Sequence, residues 1–148
     1  MSFLNKKAVT LIELMVTVII IGILASIALP NFSRAFENTK AKEAVVSLQQ
    51  IRSGERVYRV AEGSYWGPSS QGSSSDEHIG HIKSINNALQ VFLDYRAERN
   101  WNYYVQRLTA DSFIATAARR SGSHGNQTIT IDQTGTLGGT WTLPLPNP

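Results

Sequence analysis

The first hydrophobic stretch of the chain runs from Val9 to Leu29 and reads VTLIELMVTVIIIGILASIAL. As a helix rising about 1.5 Å per residue, it is roughly 31 Å long, close to the about 30 Å hydrocarbon core of a bilayer. Its one charged residue is Glu13. A helix that is apolar on every face over this length is typical of a membrane span, and is unusual in a globular core.

Beyond Pro30 the hydrophobic pattern becomes one-sided. The apolar positions recur at spacings of three, four and seven residues: Ala41, Val45, Leu48, Ile51 and Tyr58. This spacing predicts an amphipathic helix that packs against a domain. Gly63 is a suitable C-terminal stop. The first helix is therefore predicted from about residue 9 to about residue 62.

The remaining chain alternates between turn-rich and periodic segments. Gly63–Ser75 is rich in Gly and Ser and predicts a loop. A second helix is predicted from Asp76 to about Arg96, with an apolar stripe of Ile79, Ile82, Ile85, Leu89, Phe92 and Leu93. Strand patterns follow at Trp101–Leu108, Ser112–Arg119 and Thr128–Asp132, with a short edge segment within Thr136–Leu143. The predicted fold class is α+β, a long helix packed on a small antiparallel sheet.

The composition limits the possible functions. The formal charge is +3, and Lys6 and Lys7 supply two of those positive charges. Arg52, Arg56 and Arg59 are too few to predict a nucleic-acid-binding face. The chain has no cysteine, which excludes disulfides, thiolate metal sites and cysteine nucleophiles. The apolar run is also longer than the core of about 7–15 residues that is usual in a cleaved signal peptide.

The segment KKAVTLIELMVTVIIIGILASIALPNF resembles the N-terminus of type IV prepilins and type II secretion pseudopilins. The resemblance rests on the basic leader, the string Thr10 to Leu14, the apolar helix, Gly22 and Pro30. It implies a leader peptide at residues 1–8, a transmembrane and assembly helix at 9–30, and an extracytoplasmic pilin-like domain at 31–148. The family usually has Gly before the cleavage site and Phe or Met after it, whereas this chain has Ala8 and Val9.

The resemblance also implies a route to a filament. A prepilin peptidase would cut between Ala8 and Val9 and methylate the new amine of Val9. The implied partners are further copies of this chain or of related subunits, an inner-membrane assembly platform and membrane lipid. The subunit would cross the inner membrane once, with a cytoplasmic N-terminus, and would become part of a periplasmic or cell-surface filament.

Glu13 is the candidate assembly residue with the clearest physical argument. A carboxylate in hydrocarbon is costly, on the order of 3 kcal/mol at the centre of a span. In a bundle of identical helices, the freed amine of Val9 on a neighbouring subunit would compensate this charge and fix the axial register. The alternative is that the Glu13 side chain extends to the lipid headgroups without a protein partner.

Gly22 and Pro30 both weaken the predicted span as a helix. Pro30 cannot donate a hydrogen bond to the carbonyl of Ser26, and Gly22 lowers helix propensity by about 1 kcal/mol. One interpretation is a kink that a membrane helix tolerates. The other, which the resemblance favours, is that residues 22–30 unwind when the helix leaves lipid and enters a filament.

The soluble part offers little catalytic chemistry. Glu55, Tyr58, Gly63 and Tyr65 resemble a pattern that often ends the first pilin helix. His78 and His81 have a spacing that allows metal binding, but no third ligand is evident, and no cofactor, metal or enzyme is predicted. Asp132 is expected to serve a turn.

Three function classes stay open at this stage. The first is a pilus subunit. The second is a secretion pseudopilin, which the missing cysteine pair favours and the missing calcium-loop carboxylates disfavour. The third is a monomeric membrane-tethered binding module that uses an exposed Tyr65–Trp66 loop.

Overall fold

The computed structural model describes residues 9–68, 75–122 and 124–144. Two helices and four strands occur in the order α1 (Leu11–Glu62), α2 (Ser75–Leu89), β1 (Trp101–Thr109), β2 (Ser112–Arg119), β3 (Thr128–Asp132) and β4 (Leu137–Gly139). The predicted α+β class, a long N-terminal helix with a small antiparallel sheet, is confirmed. The chain divides into two compact units, with the boundary between Glu37 and Asn38.

The first unit is the apolar part of α1. Every side chain from Val9 to Phe36 is exposed, although most of them are large and hydrophobic. Among the described residues, α1 is the one helix whose length and composition would let it cross a membrane. Exposed apolar surface of this extent is not stable in water, so this unit requires lipid or protein around it.

The second unit is built on a four-stranded antiparallel sheet with strand order β1-β2-β3-β4. Alternate residues of each strand face the core, as the period-two pattern predicts. The buried hydrophobic strand residues are Trp101, Tyr103, Val105, Phe113, Ala115, Ala117, Ile129 and Ile131. Four of the five predicted core positions of α1 join them, namely Ala41, Val45, Leu48 and Ile51, whereas Tyr58 is half-buried. Trp101 also donates from its indole nitrogen to the Lys40 carbonyl at 2.9 Å, which fixes the sheet to α1.

The predicted end of the second helix is wrong. Helix α2 ends at Leu89 rather than near Arg96, because Gln90 adopts a left-handed conformation with φ of 53°. The side chain of Asn86 then binds the backbone of Leu93 in both directions, at 3.0 and 2.9 Å. Leu93 therefore returns to the core, while Phe92, predicted in the buried stripe, is 95% exposed.

The predicted end of α1 is confirmed, but the predicted exposure of the residues that follow it is not. Gly63 follows the last helical residue with φ of 76°, as expected for a C-terminal stop. The expectation of an exposed Tyr65–Trp66 loop is wrong for Tyr65, which is buried with its ring edge-on to Phe113 at 4.8 Å. The backbone N–H of Tyr65 donates to the Ala110 carbonyl at 3.1 Å. An aromatic ring with a bound backbone is part of the core, not a recognition loop.

Candidate assembly segment

The candidate assembly segment, residues 9–30, begins with a helix cap. Helix α1 starts at Leu11, and the backbone N–H of Glu13 donates to the hydroxyl of Thr10 at 3.3 Å. Thr10 thus occupies the N-cap position and Glu13 the third helical position, the spacing of a Thr-x-x-Glu capping box, of which the described residues show only the bond to the Thr10 hydroxyl. The carboxylate of Glu13 consequently lies in the first turn, where the helix dipole favours a negative charge.

The two residues expected to pair between subunits are both accessible. Val9 is 69% exposed, and Glu13 is exposed one turn beyond the cap. Within the described part of the chain, no residue contributes a hydrogen bond or ion pair to the Glu13 carboxylate. Ala8, the residue expected before the cleavage site, lies outside the described residues.

Gly22 and Pro30 lie within an uninterrupted helix. Helix α1 is continuous through both positions, and a side chain at Gly22 would meet nothing within 4 Å. Thr17 and Ser26 donate their hydroxyls to the carbonyls of Leu14 and Ile23, at 2.8 and 2.7 Å. These local bonds satisfy the hydroxyls of Thr17 and Ser26 without an outside partner. Glu13 and Pro30 are about 26 Å apart along the helix axis, so these positions form a line and not a pocket.

The pattern of Glu55, Gly63 and Tyr65, which resembles the end of the first pilin helix, has a structural explanation. The Glu55 side chain is fully buried, and one of its oxygens accepts the Trp66 backbone N–H at 2.8 Å. Among the described residues, its other oxygen has no hydrogen-bond partner. Burial raises the pKa of Glu55 to about 7, against the opposing effects of the Trp66 N–H and the positive charge of Arg107. The hydrogen bond from Trp66 to Glu55 thus holds the segment after α1 against the helix.

A cavity of about 410 Å³ lies beside the chain that follows α1. Its lining includes Tyr58, Trp66, His81 and Arg107. His78 and His81 both lie against the ring of Tyr104. One ring nitrogen of His78 lies 2.6 Å from the Tyr104 hydroxyl, and both histidine rings meet Tyr104 edge-on. Across the described residues, no group of three His, Cys, Asp or Glu side chains could hold a metal ion.

Asp132 and Arg52 of α1 have structural roles. One oxygen of Asp132 accepts the backbone N–H groups of Thr134, Gly135 and Thr136, each at 2.9 Å, which confirms the predicted turn. A hydrogen bond from the Thr134 hydroxyl, with these backbone bonds, lowers the pKa of Asp132. Arg52 donates to the carbonyls of Gln133 and Thr134, at 3.2 and 2.8 Å. Its guanidinium is thus held by the chain's own β3–β4 turn.

With the geometry established, comparison with known proteins identifies the N-terminal segment. A family model described as the prokaryotic N-terminal methylation motif matches residues 4–29. The chain carries this methylation motif. The matched range contains Thr10, Glu13 and Gly22, and it ends one residue before Pro30.

Three curated relatives extend the likeness beyond the methylation motif. The type IV major pilin protein PilA of Myxococcus xanthus is 42% identical over 54 residues, which cover 36% of this chain and 24% of that protein. A fimbrial protein of Neisseria meningitidis is 27% identical over 121 residues, covering 80% and 69%. Type II secretion system core protein G of Escherichia coli is 26% identical over 113 residues, covering 72% and 66%. No solved structure matches.

These relatives confirm the resemblance to type IV pilins and type II secretion pseudopilins that the sequence indicates. They are named as structural or secretion-system proteins, not as enzymes. The reasoning from sequence missed Thr10 as the cap of the methylation-motif helix. The Thr-x-x-Glu spacing of residues 10–13 was the available signal.

Proposed function

We propose that this chain is a structural subunit of a type IV pilus or of a pilus-like filament, assembled through its N-terminal helix. The observation that carries the proposal is the methylation motif at the start of a helix whose apolar half is entirely exposed. Such a surface needs lipid before assembly and other subunits afterwards. The pilin and secretion-protein relatives support the same conclusion.

The charge pattern around the span supports a defined orientation. Lys6 and Lys7, which lie outside the described residues, precede the span and would stay on the cytoplasmic side under the positive-inside rule. Residues 31–148 would then form the extracytoplasmic domain of a single-pass protein of the inner membrane. After assembly, this domain would lie in the periplasm or on the cell surface.

Processing and pairing form one sequence of events in this proposal. A prepilin peptidase cuts between Ala8 and Val9, methylates the amine of Val9 and leaves it charged. Glu13 of one subunit then pairs with the Val9 amine of its neighbour on the assembly platform. In a core without water this attraction is much stronger than at a surface, so the pair sets the register between subunits. Residues 22–30 unwind in the same step.

The experiment that tests this pairing is replacement of Glu13 by leucine in the full-length chain. Glu13→Leu removes the charge and keeps an apolar helix, so membrane insertion persists while filament yield falls to background. Glu62→Leu, which removes an exposed carboxylate from the other end of the same helix, leaves filament yield unchanged. Filament yield is measured by immunoblot of the sheared fraction, and insertion by carbonate extraction. Normal filaments from Glu13→Leu would contradict the register role.

The alternative is a pseudopilin of a type II secretion system. The relative from Escherichia coli favours it, since that likeness covers 72% of this chain. Deleting the gene while assaying both protein export and surface pili separates the two: loss of export alone indicates the pseudopilin. A monomeric tethered binding module has less support, because Tyr65 of its recognition loop is buried.

A further inference from the structure

The cavity beside the chain that follows α1 has aromatic and apolar walls. Its volume of about 410 Å³ lies within the range of about 300–1,000 Å³ that is usual for small-molecule sites. Tyr58 and Trp66, both half-buried, supply two aromatic rings to the lining. Ile85 and Val105, both buried, supply the aliphatic part. A lining of this kind matches the apolar face of a ring.

The polar groups of the lining are mainly hydrogen-bond donors. The Arg107 guanidinium is a fork of N–H donors that makes one hydrogen bond, at 3.3 Å to a backbone carbonyl. Among the described residues, nothing accepts a hydrogen bond from the Tyr58 hydroxyl or the Trp66 indole N–H. His81 and Ser84 also line the cavity, and no Asp or Glu is among its described lining residues. The matching ligand is therefore negatively charged and rich in acceptors.

Three local features fix the positions of the aromatic wall and of the cation. The backbone N–H of Trp66 donates to the buried carboxyl of Glu55 at 2.8 Å. Arg107 donates to the carbonyl of Tyr65, whose ring is buried in the core. Gly67 has φ of 132°, and a Cβ there would lie 3.2 Å from backbone atoms of β1. A site whose groups are already positioned loses less entropy when a ligand binds.

The chemistry of these groups narrows the class of ligand. One guanidinium balances one negative charge, and its planar fork matches a carboxylate. The Tyr58, Trp66 and His81 polar groups suit ligand hydroxyls, and they would stay unpaired against a purely aromatic acid. We propose that this cavity binds a sugar acid, with its carboxylate on Arg107 and one face of its pyranose ring against Trp66. This binding role goes beyond that of a filament subunit, because it requires no second copy of the chain.

Nuclear magnetic resonance of the full-length chain in detergent micelles tests the site. The chain has three tryptophans, so labelling with indole-¹⁵N tryptophan gives three indole signals, and Trp66→Phe identifies that of Trp66. On titration with galacturonate, the Trp66 signal should shift to saturation, while those of the buried Trp101 and Trp141 should not. Neutral galactose and the aromatic acid benzoate should each bind about tenfold more weakly or worse. Trigalacturonate in place of the monosaccharide shows whether the ligand is a free sugar acid or part of an acidic polysaccharide, which should bind more tightly.

Replacement of Arg107 tests the contact with the carboxylate. Arg107→Gln should weaken galacturonate binding about tenfold or more and leave galactose binding unchanged. Arg56→Gln is the matched control, because it removes an exposed positive charge of α1 that does not line the cavity. It should leave both affinities unchanged. Arg107→Lys keeps the charge without the planar fork and should give an intermediate affinity, and thermal unfolding verifies that each variant is folded.

The outcomes separate the site from the filament proposal, since the titration uses purified subunits. Absence of a saturable shift of the Trp66 signal with both galacturonate and trigalacturonate overturns the site. Equal affinity for galacturonate and for galactose or benzoate overturns the assignment of a sugar acid. Equal losses from Arg107→Gln and Arg56→Gln also overturn it, because they indicate general attraction to a positive surface. Failure of the chain to enter filaments overturns the proposed function and leaves this site standing.

Discussion

For the single residue Glu13, the free energy gained from the helix dipole can be compared with the cost of placing its carboxylate in hydrocarbon. Its place in the first turn of α1 gains about 0.3–1 kcal/mol from the helix dipole. A carboxylate in hydrocarbon costs up to about 3 kcal/mol. The first-turn position of Glu13 therefore does not compensate its charge inside a membrane, and the proposed pairing with the Val9 amine of a neighbouring subunit would supply the remainder.

Glu55 is the residue whose ionisation has the clearest effect on stability. Its folded-state pKa is raised from an ordinary 4.5 to about 7. Between these values the folded state binds more protons than the unfolded state, so stability falls as the pH rises, and the loss is complete above about pH 7. At about 1.4 kcal/mol per pKa unit, the shift corresponds to roughly 3 kcal/mol.

We therefore predict that the globular unit unfolds at a higher temperature at pH 5 than at pH 8. Glu55→Gln keeps an acceptor for the Trp66 N–H but cannot ionise, so it should remove this part of the pH dependence and stabilise the protein at pH 8. Circular dichroism melts in detergent at both pH values measure the effect. Glu62→Gln, at an exposed position of the same helix, is the control. A Glu55→Gln variant with the full pH dependence of the parent would contradict the buried-carboxyl account.

Among the elements, the strands were the most predictable from sequence and the end of α2 the least. Strands β2 and β3 have the predicted bounds because period-two alternation is strong in Ser112–Arg119 and Thr128–Asp132. Helix α2 was predicted too long because Leu89, Phe92 and Leu93 continue a helical spacing without an intervening Gly or Pro. The stop depends on tertiary contacts of Asn86 with Leu93, which no local pattern encodes.

The contact of α1 with α2 depends on Gly54. A Cβ there would lie 2.7 Å from the Leu89 oxygen and 2.8 Å from its Cβ, so Gly54→Ala must displace the end of α2. We expect a loss of about 1–3 kcal/mol in unfolding free energy, despite the better helix propensity of alanine. Chemical denaturation measures it.

Gly80→Ala in α2 is the matched control for this prediction, because nothing lies within 4 Å of the new Cβ. It should be neutral or should stabilise by up to about 1 kcal/mol. Equal effects of the two substitutions would contradict the close-contact role of Gly54.

At the scale of the whole molecule, the sequence indicates candidate assembly positions along one helix, whereas surfaces formed by distant parts of the chain emerge only from the fold. Thr10, Glu13, Gly22 and Pro30 all lie on one helix, so a linear pattern suffices to find them. A groove beside Phe92 joins residues about forty positions apart in the chain, and it depends on where α2 stops. Polymers of identical subunits that grow without limit need two different surfaces on each copy.

The most direct test of the account is intact-mass analysis of this protein in sheared filaments and in membranes of the same cells. We predict that the filament fraction contains the chain, beginning at Val9 with one added methyl group, and that unprocessed chain beginning at Met1 occurs in membranes alone. Filaments that contain the chain with Met1, or a processed chain that never enters filaments, would contradict assembly through the freed amine of Val9 and Glu13.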